Sequence, residues 1–472
     1  MAHIRTFRDP HLSRWQSVVD EVFTRPGPPP ESVVLMAGTS GAPGPPPAAV
    51  VATRDPGQPA ADAAATVAAE ALVPGGDTSP SAGLEGVILA SGLFSTATEC
   101  ARRAFQLVRA TLAGTDPATI AQLREDLDDS RCDPRWFQAA IEYIKRFDVD
   151  GATIPYRPAP ADPSTYAPLA LLENATIALV ADWATGTDEA FRVMAQIAGH
   201  HPDVVIHLGD IYYSGTSHED QQYFLAACNR LLNRERASGR GIPVFTLAGN
   251  HDMYSGGAPY YALIDALNQP PLAPDGQLQS KSFFGLRSSG WQILAMDTGL
   301  NDHDAFDAAT SMTRLEDLEA AWHRYWIANA GGRRTILLSH HPLFSAFSPI
   351  GNEPGADRST NTALLSQLHD QLPQVDAWFW GHEHNLALYG PWLGLQRGRL
   401  IGHGGIPVFA SQDPYAARVG DIPVLPPRLD RNDDDVFRHG FVILKLDDAA
   451  RTAQASYYQD ADDRPLLFAE TL

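Results

Sequence analysis

Residues 203–213 read DVVIHLGDIYY. Val204 to His207 form an almost unbroken apolar run, and the run stops on Leu208-Gly209-Asp210. An apolar run of that length, closed by glycine, reads as a strand covered on both faces rather than as one edge of an amphipathic helix. The same grammar recurs on either side. It appears as ATIALVAD at 175–182, PVFTLAGNHD at 243–252, WQILAMDT at 291–298, TILLSH at 335–340, DAWFWGH at 376–382 and RLIGHGG at 399–405. Helical patterns separate several of these runs. They are Thr187 to Ala198, then EDQQYFLAACNRLLNRE at 219–235, then LEDLEAAWHRYWIAN at 315–329, for which Thr313 and Glu316 offer a capping box. Strands alternating with helices predict a layered α/β domain.

The ends of the runs carry the chemistry. Asp182, Asp210, Asn250 with His251, His340, and His382 with His384 each follow an apolar run. Residues just past strand ends in an α/β sheet converge on one rim, where ligands bind. Five segments spread over two hundred positions can therefore build one site. Gly209, Gly249 and Gly381 each precede one of these residues, where a sharp turn is needed. Carboxylate, amide oxygen and imidazole without thiolate suit divalent or trivalent ions and not a structural zinc cage. Two such ions, bridged by one carboxylate, are a standard device for cleaving phosphate esters. Taken singly, each residue has an ordinary explanation: a helix-capping aspartate, a turn asparagine, a surface histidine. The order and the shared strand-end placement favour a single site.

The series D…GDxxY…GNHD…SHHP…GHEH resembles the calcineurin-like metallophosphoesterases, and among them the purple acid phosphatases, over about residues 175–407. The resemblance implies a layered β-sandwich flanked by helices and a dinuclear metal centre. In that reading Asp210 bridges both ions. Asp182, Tyr213 and His384 complete the first, and Asn250, His340 and His382 complete the second. His251 stays off the metals and serves the substrate, as proton donor to the leaving oxygen or as a phosphate contact. A hydroxide on the metal would be the nucleophile.

One departure points to the subfamily. Most calcineurin-like enzymes carry D-x-H at the first motif, whereas this chain has Asp182-Trp183-Ala184. Tyr213, three residues after Asp210, fits the D-x-x-Y tyrosine of purple acid phosphatases, which lack that histidine. The resemblance then implies Fe(III) at the first position, with Zn(II), Fe(II) or Mn(II) at the second. His341 and His403 are possible substrate contacts; the alternative for His341 is a place behind the ligands or on the surface, and for His403 packing or a turn. His200, His201, His207 and His323 read as structural or exposed.

Outside this region the sequence says less. With 472 residues, 44% hydrophobic and 19% charged, it fits a globular protein of two or three domains. Residues 1–165 predict a mainly helical accessory region with Pro/Gly-rich loops, and 166–472 the catalytic domain. FVILKL and ASYYQ near the C-terminus read as antiparallel strands completing a sheet. Thirty-five Lys and Arg against 56 Asp and Glu give a net charge of −21, which argues against nucleic acid as a partner. No apolar run is long enough to span a membrane. The cysteines, Cys100, Cys132 and Cys228, form no CxxC pair, and MAHIRTFRDPHLSRWQ lacks an apolar leader core. These features predict a cytoplasmic protein, although purple acid phosphatases are often exported. The expected activity is hydrolysis of a small phosphomonoester. Alternatives are a phosphodiesterase for cyclic nucleotides or phospholipid headgroups, or a phosphoesterase effector governed by an N-terminal sensing module that also binds a protein partner.

Overall fold

The computed structural model describes residues 118–119, 153–232, 241–268, 279–302, 313–350, 358–416, 418–461 and 465–472. Most of the accessory region expected over residues 1–165 lies outside the described residues. Residues 153–166 are described, and they pack against the domain on both sides of the expected boundary at 166. Ile154 and Tyr156 lie against Met253, Tyr260 and Tyr261. Arg157 makes two 2.7 Å hydrogen bonds to the Asp265 carboxylate. The Tyr156 hydroxyl donates to Glu319 at 2.9 Å.

Fourteen strands among the described residues form two mixed sheets. The six-stranded sheet runs β14-β13-β12-β2-β3-β4. Its members are β2 (Thr176–Val180), β3 (Val204–His207), β4 (Val244–Thr246), β12 (Gly440–Asp447), β13 (Thr452–Gln459) and β14 (Leu466–Thr471). The eight-stranded sheet runs β1-β5-β6-β7-β8-β10-β9-β11. It holds β1 (Leu169–Ala170), β5 (Phe284–Arg287), β6 (Trp291–Ala295), β7 (Arg334–Leu338), β8 (Ala377–Trp380), β9 (Leu386–Tyr389), β10 (Gly398–Ile401) and β11 (Val424–Leu425). The strands β2, β3 and β4 are mutually parallel, as are β6, β7, β8 and β10. The C-terminal β12 and β13 pair antiparallel over eight residues and join β2, as the alternating sequence predicts.

Strand side chains point alternately to opposite faces, and here both faces are buried. Ile177, Leu179, Val204 and Ile206 face Ile293, Ile336, Leu338 and Phe379 in the core between the sheets. Ala178, Val180 and Val205 turn outward onto Val193 and Ile197 of α1 (Asp188–Gly199). On the opposite side, Leu337, Trp378 and Trp380 meet Trp322 and Ile327 of α3 (Asp317–Ala328) and Leu364 of α4 (Thr362–Leu368). The Trp-rich run before Gly381 is thus core strand. The segment 253–261 is partly helical, because α2 (Ala258–Ala266) starts behind Gly257, with Pro259 in its first turn. No helix among the described residues is long and apolar enough to cross a membrane.

Candidate metal centre

The parallel strands of both sheets end on one rim, and the expected ligands meet there. Asp182 and Asp210 follow β2 and β3, while His340 and His382 follow β7 and β8. The rim is stitched across the sheets. The His382 N–H donates to Asp182 Oδ2 at 2.9 Å, and His340 Nδ1 lies 3.0 Å from the Leu208 carbonyl. Asp182, Asp210 and His382 all have left-handed backbones, with φ of 54°, 70° and 70°. Non-glycine residues at such φ are uncommon and cluster where function fixes a side chain. Of the three flanking glycines only Gly209 has positive φ; Gly249 and Gly381 serve differently from the expected sharp turn. A Cβ on Gly249 would collide with the Asp210 carboxylate, and one on Gly381 with that of Asp182.

Donor atoms of Asp182, Asp210 and His340 lie within 4.8 Å of one another, and so do those of His340, His341 and His382. Asp210 Oδ2 is 3.4 Å from His340 Nε2, and His340 Nε2 is 3.3 Å from His382 Nδ1. His384 Nε2 lies 3.6 Å from Asp182 Oδ1. Adjacent ligand atoms around an octahedral ion at about 2.1 Å are about 3 Å apart, so these spacings suit metal binding. Asn250 Oδ1 supplies a second sign of fit: it is buried and has no hydrogen-bond partner.

The tyrosine hydroxyl in this cluster belongs to Tyr212, one residue earlier than the sequence pattern implied. Its Oη donates toward Asp182 Oδ1 at 2.8 Å and Asp210 Oδ2 at 2.9 Å, and lies 2.9 Å from His384 Nε2. Tyr213 instead offers its carbonyl to His251 Nδ1 at 2.8 Å, while its own N–H donates to Glu219. Motif spacing could not choose between two neighbouring tyrosines in a turn.

His251 is 3% exposed, and its Nε2 lies 3.9 Å from Asp210 Oδ2. Its N–H donates to Asp210 Oδ1 at 3.0 Å, so Oδ2 is the Asp210 oxygen that faces both His340 and Tyr212. The His341 ring packs against that of His382, with centroids 4.5 Å apart and planes tilted by 43°. Its Nδ1 lies 3.0 Å from Thr298 Oγ1 and its Nε2 2.8 Å from Asp302 Oδ2. His403 is not drawn into the cluster; it is 1% exposed, and its carbonyl accepts the Gly440 N–H. His200 packs against Tyr458 with ring centroids 4.4 Å apart, while His207 and His323 are buried.

Two residues absent from the expected set organise the rim. Asp252, the last residue of GNHD, accepts from the N–H groups of Gly249 (2.7 Å), Asp210 (2.9 Å) and Ile211 (3.1 Å). Tyr254 accepts from Asn250 Nδ2 at 2.7 Å. Asp252 stood in a recognised motif without a role, whereas Tyr254 had no sequence signal.

Electrostatics agree with a cation site. Burial, reinforced by the Asp210 charge, lifts Asp182 to about 7 and Asp252 to about 8. Burial alone would lift Asp210 as well, but the imidazoles of His340 and His251 hold it well below the usual range. Burial opposes charge on His340, yet the Asp210 carboxylate prevails and raises the ring to about 9. Burial drives His384 down to about 3 and lowers His382 and His251, so these rings are neutral. Crowded carboxylates and neutral imidazoles are chemically matched to a multivalent cation.

Comparison with known proteins gives likenesses in both sequence and fold. Residues 175–386 match the family described as calcineurin-like phosphoesterase. A glycerophosphodiester phosphodiesterase, GpdQ, of Enterobacter lignolyticus is 26% identical over 202 residues, which is 42% of this chain and 62% of the relative. The chain thus spans about three-fifths of that relative's length. Among solved structures, a purple acid phosphatase from yellow lupin (Lupinus luteus) seeds superposes with a TM-score of 0.42 at 13% identity. That match covers 63% of this chain and 53% of the lupin protein. GAP50 of Plasmodium, an anchor in the inner membrane complex, gives 0.41 at 14% identity, over 63% and 88% of the two chains.

Proposed function

We propose that this chain, whose residues 175–386 match the calcineurin-like phosphoesterase family, hydrolyses a small phosphomonoester at a dinuclear metal centre. The observation that carries the reading is the unpaired, buried Asn250 Oδ1 on a rim shared with Asp182, Asp210, His340, His382 and His384. Asp210 would serve both positions. Asp182, His384 and the Tyr212 hydroxyl would hold the first ion, and Asn250, His340 and His382 the second. Bound there, two ions would polarise the phosphoryl oxygens and activate water at neutral pH.

The protein's own groups do the rest. His251 donates Nδ1–H to the Tyr213 carbonyl, which directs Nε2 toward the rim. Once a proton is taken up at Nε2 beside the bound phosphate dianion, whose charge favours the imidazolium, Nε2 donates to a phosphoryl oxygen or gives that proton to the leaving oxygen. His341, fixed by Thr298 and Asp302, walls the second position.

A second reading, phosphodiester hydrolysis, is favoured by the name of the GpdQ relative. Purified protein assayed on p-nitrophenyl phosphate and bis(p-nitrophenyl) phosphate separates the two. Turnover of neither substrate by metal-loaded protein would overturn both. The metals proposed are Fe(III) in the first position and Zn(II), Fe(II) or Mn(II) in the second. A phenolate on Fe(III) absorbs visible light. Iron-loaded protein is expected to be violet to pink, with the band lost in Tyr212→Phe and kept in Tyr213→Phe. The opposite pattern would restore Tyr213 as the ligand.

A further inference from the structure

An asparagine can ligate a metal only through Oδ1, because its other end is an NH2 that donates. The two ends have nearly the same shape, so packing alone does not choose between them. At Asn250 a hydrogen bond supports the orientation that frees Oδ1, because the phenol oxygen accepts from Nδ2 and leaves no buried NH2 unpaired. Nδ2 donates to Tyr254 Oη at 2.7 Å inside the protein, and Oδ1 is left without a hydrogen-bond partner. Both residues are buried, Asn250 at 5% exposure and Tyr254 at 8%. The chain makes the contact local. His251–Met253 form a single 3-10 turn, and the Tyr254 N–H closes it on the His251 carbonyl at 3.3 Å. That turn brings residue 254 back over residue 250. The Tyr254 ring also packs edge-on against His251, with centroids 4.6 Å apart and planes at 62°.

We propose that Tyr254 is a positioning residue for the metal centre: its hydroxyl pins the Asn250 amide so that Oδ1 faces the second metal position. The inference rests on the dinuclear reading above. With the amide reversed, the NH2 would point its partial positive charge at the cation. Partners that orient metal ligands typically matter about 10–100-fold in metal affinity. Tyr254→Phe removes only the hydroxyl and leaves the ring against His251, so it separates amide orientation from packing.

The test is calorimetric titration of metal-free protein with Mn2+. Wild type is expected to take two equivalents. Tyr254→Phe is expected to bind the second equivalent about 10–100-fold more weakly and the first unchanged. Asn250→Asp gives the control, because a carboxylate offers an oxygen at either end. In that background adding Tyr254→Phe should change the second affinity by no more than about twofold, since no orientation is left to pin. Wild-type affinity in Tyr254→Phe overturns the proposal. So does an equal loss whether Tyr254→Phe is introduced into wild type or into Asn250→Asp, which would assign the effect to packing. A wild type that takes fewer than two equivalents overturns the dinuclear reading instead.

Discussion

At the scale of single residues, the sequence disclosed most of the side chains that meet on the rim and hid their supports. Asp182, Asp210, Asn250, His340, His382 and His384 were legible because each follows an apolar run whose strand end is fixed by burial. Tyr212 was not, because a turn containing two tyrosines gives spacing without direction. Asp252 was not, because an aspartate after GNH looks like any turn carboxylate until its three N–H donors are seen. Those donors belong to Gly249, Asp210 and Ile211, which lie in two different strand-end loops. Removing the acceptor strands three buried N–H groups, each costing about 1–3 kcal/mol if left unpaired. Asp252→Ala is therefore expected to lose about 3 kcal/mol or more of stability in urea denaturation. It should also lose metal content, because the clamped loops carry Asp210 and Asn250. Asp252→Asn keeps one acceptor and should fall between. A loss below about 0.5 kcal/mol would show that the clamp is not needed.

At the scale of elements, the strands were legible and the helix starts were not equally so. Continuous apolar runs name doubly buried strands because nothing else buries Ile177 and Ala178 on opposite faces at once. Helix α1 begins as its sequence predicts, with Thr187 Oγ1 accepting the Ala190 N–H at 3.2 Å. Helix α3 does not: it starts at Asp317 behind Glu316, with no side-chain cap, and the expected box from Thr313 is not formed. A reciprocal box exists instead at Thr216 and Glu219, and the Glu219 carboxylate also takes the N–H groups of Tyr213 and Ser214. Capping patterns are cheap in sequence, and tertiary packing decides which are used. The two threonines should therefore behave differently. Thr187→Ala is expected to cost about 1 kcal/mol, the usual worth of an N-cap. Thr313→Ala is expected to stay within about 0.5 kcal/mol of wild type. Chemical denaturation of the two variants side by side checks both, and an equal cost would contradict the assignment of caps.

At the scale of the whole molecule, a second buried acidic group lies away from the metal centre and links three parts of the fold. Glu319 of α3 accepts the Asp297 N–H, just past β6, at 2.8 Å, and the hydroxyl of Tyr156, in the segment leading into the domain, at 2.9 Å. His323 lies 3.4 Å away, neutral because burial drives its pKa to about 3. Glu316 and Asp297 are the nearby acids. Burial lifts Glu319 to about 8, and burial with the Glu319 charge lifts Asp297 to about 7. None of this was readable in sequence, because Glu319 sits on an amphipathic helix where a glutamate ordinarily faces water. The sign follows from linkage. A carboxyl whose folded pKa is raised binds its proton longer in the folded state than in the unfolded chain. The contribution of Glu319 to stability is then highest below about pH 4, falls as pH rises from there to about 8, and levels off above. Asp182 and Asp252 carry shifts of the same sign, so the melting temperature of wild type alone cannot isolate Glu319. The difference from Glu319→Gln can, in metal-loaded protein at fixed ionic strength. Gln keeps an acceptor and cannot ionise. Near pH 5 the variant should melt at or slightly below the wild-type temperature, and the gap should shift steadily in its favour up to pH 8–9. A gap that stays constant from pH 5 to 9 would mean that Glu319 does not change ionisation on folding in that range.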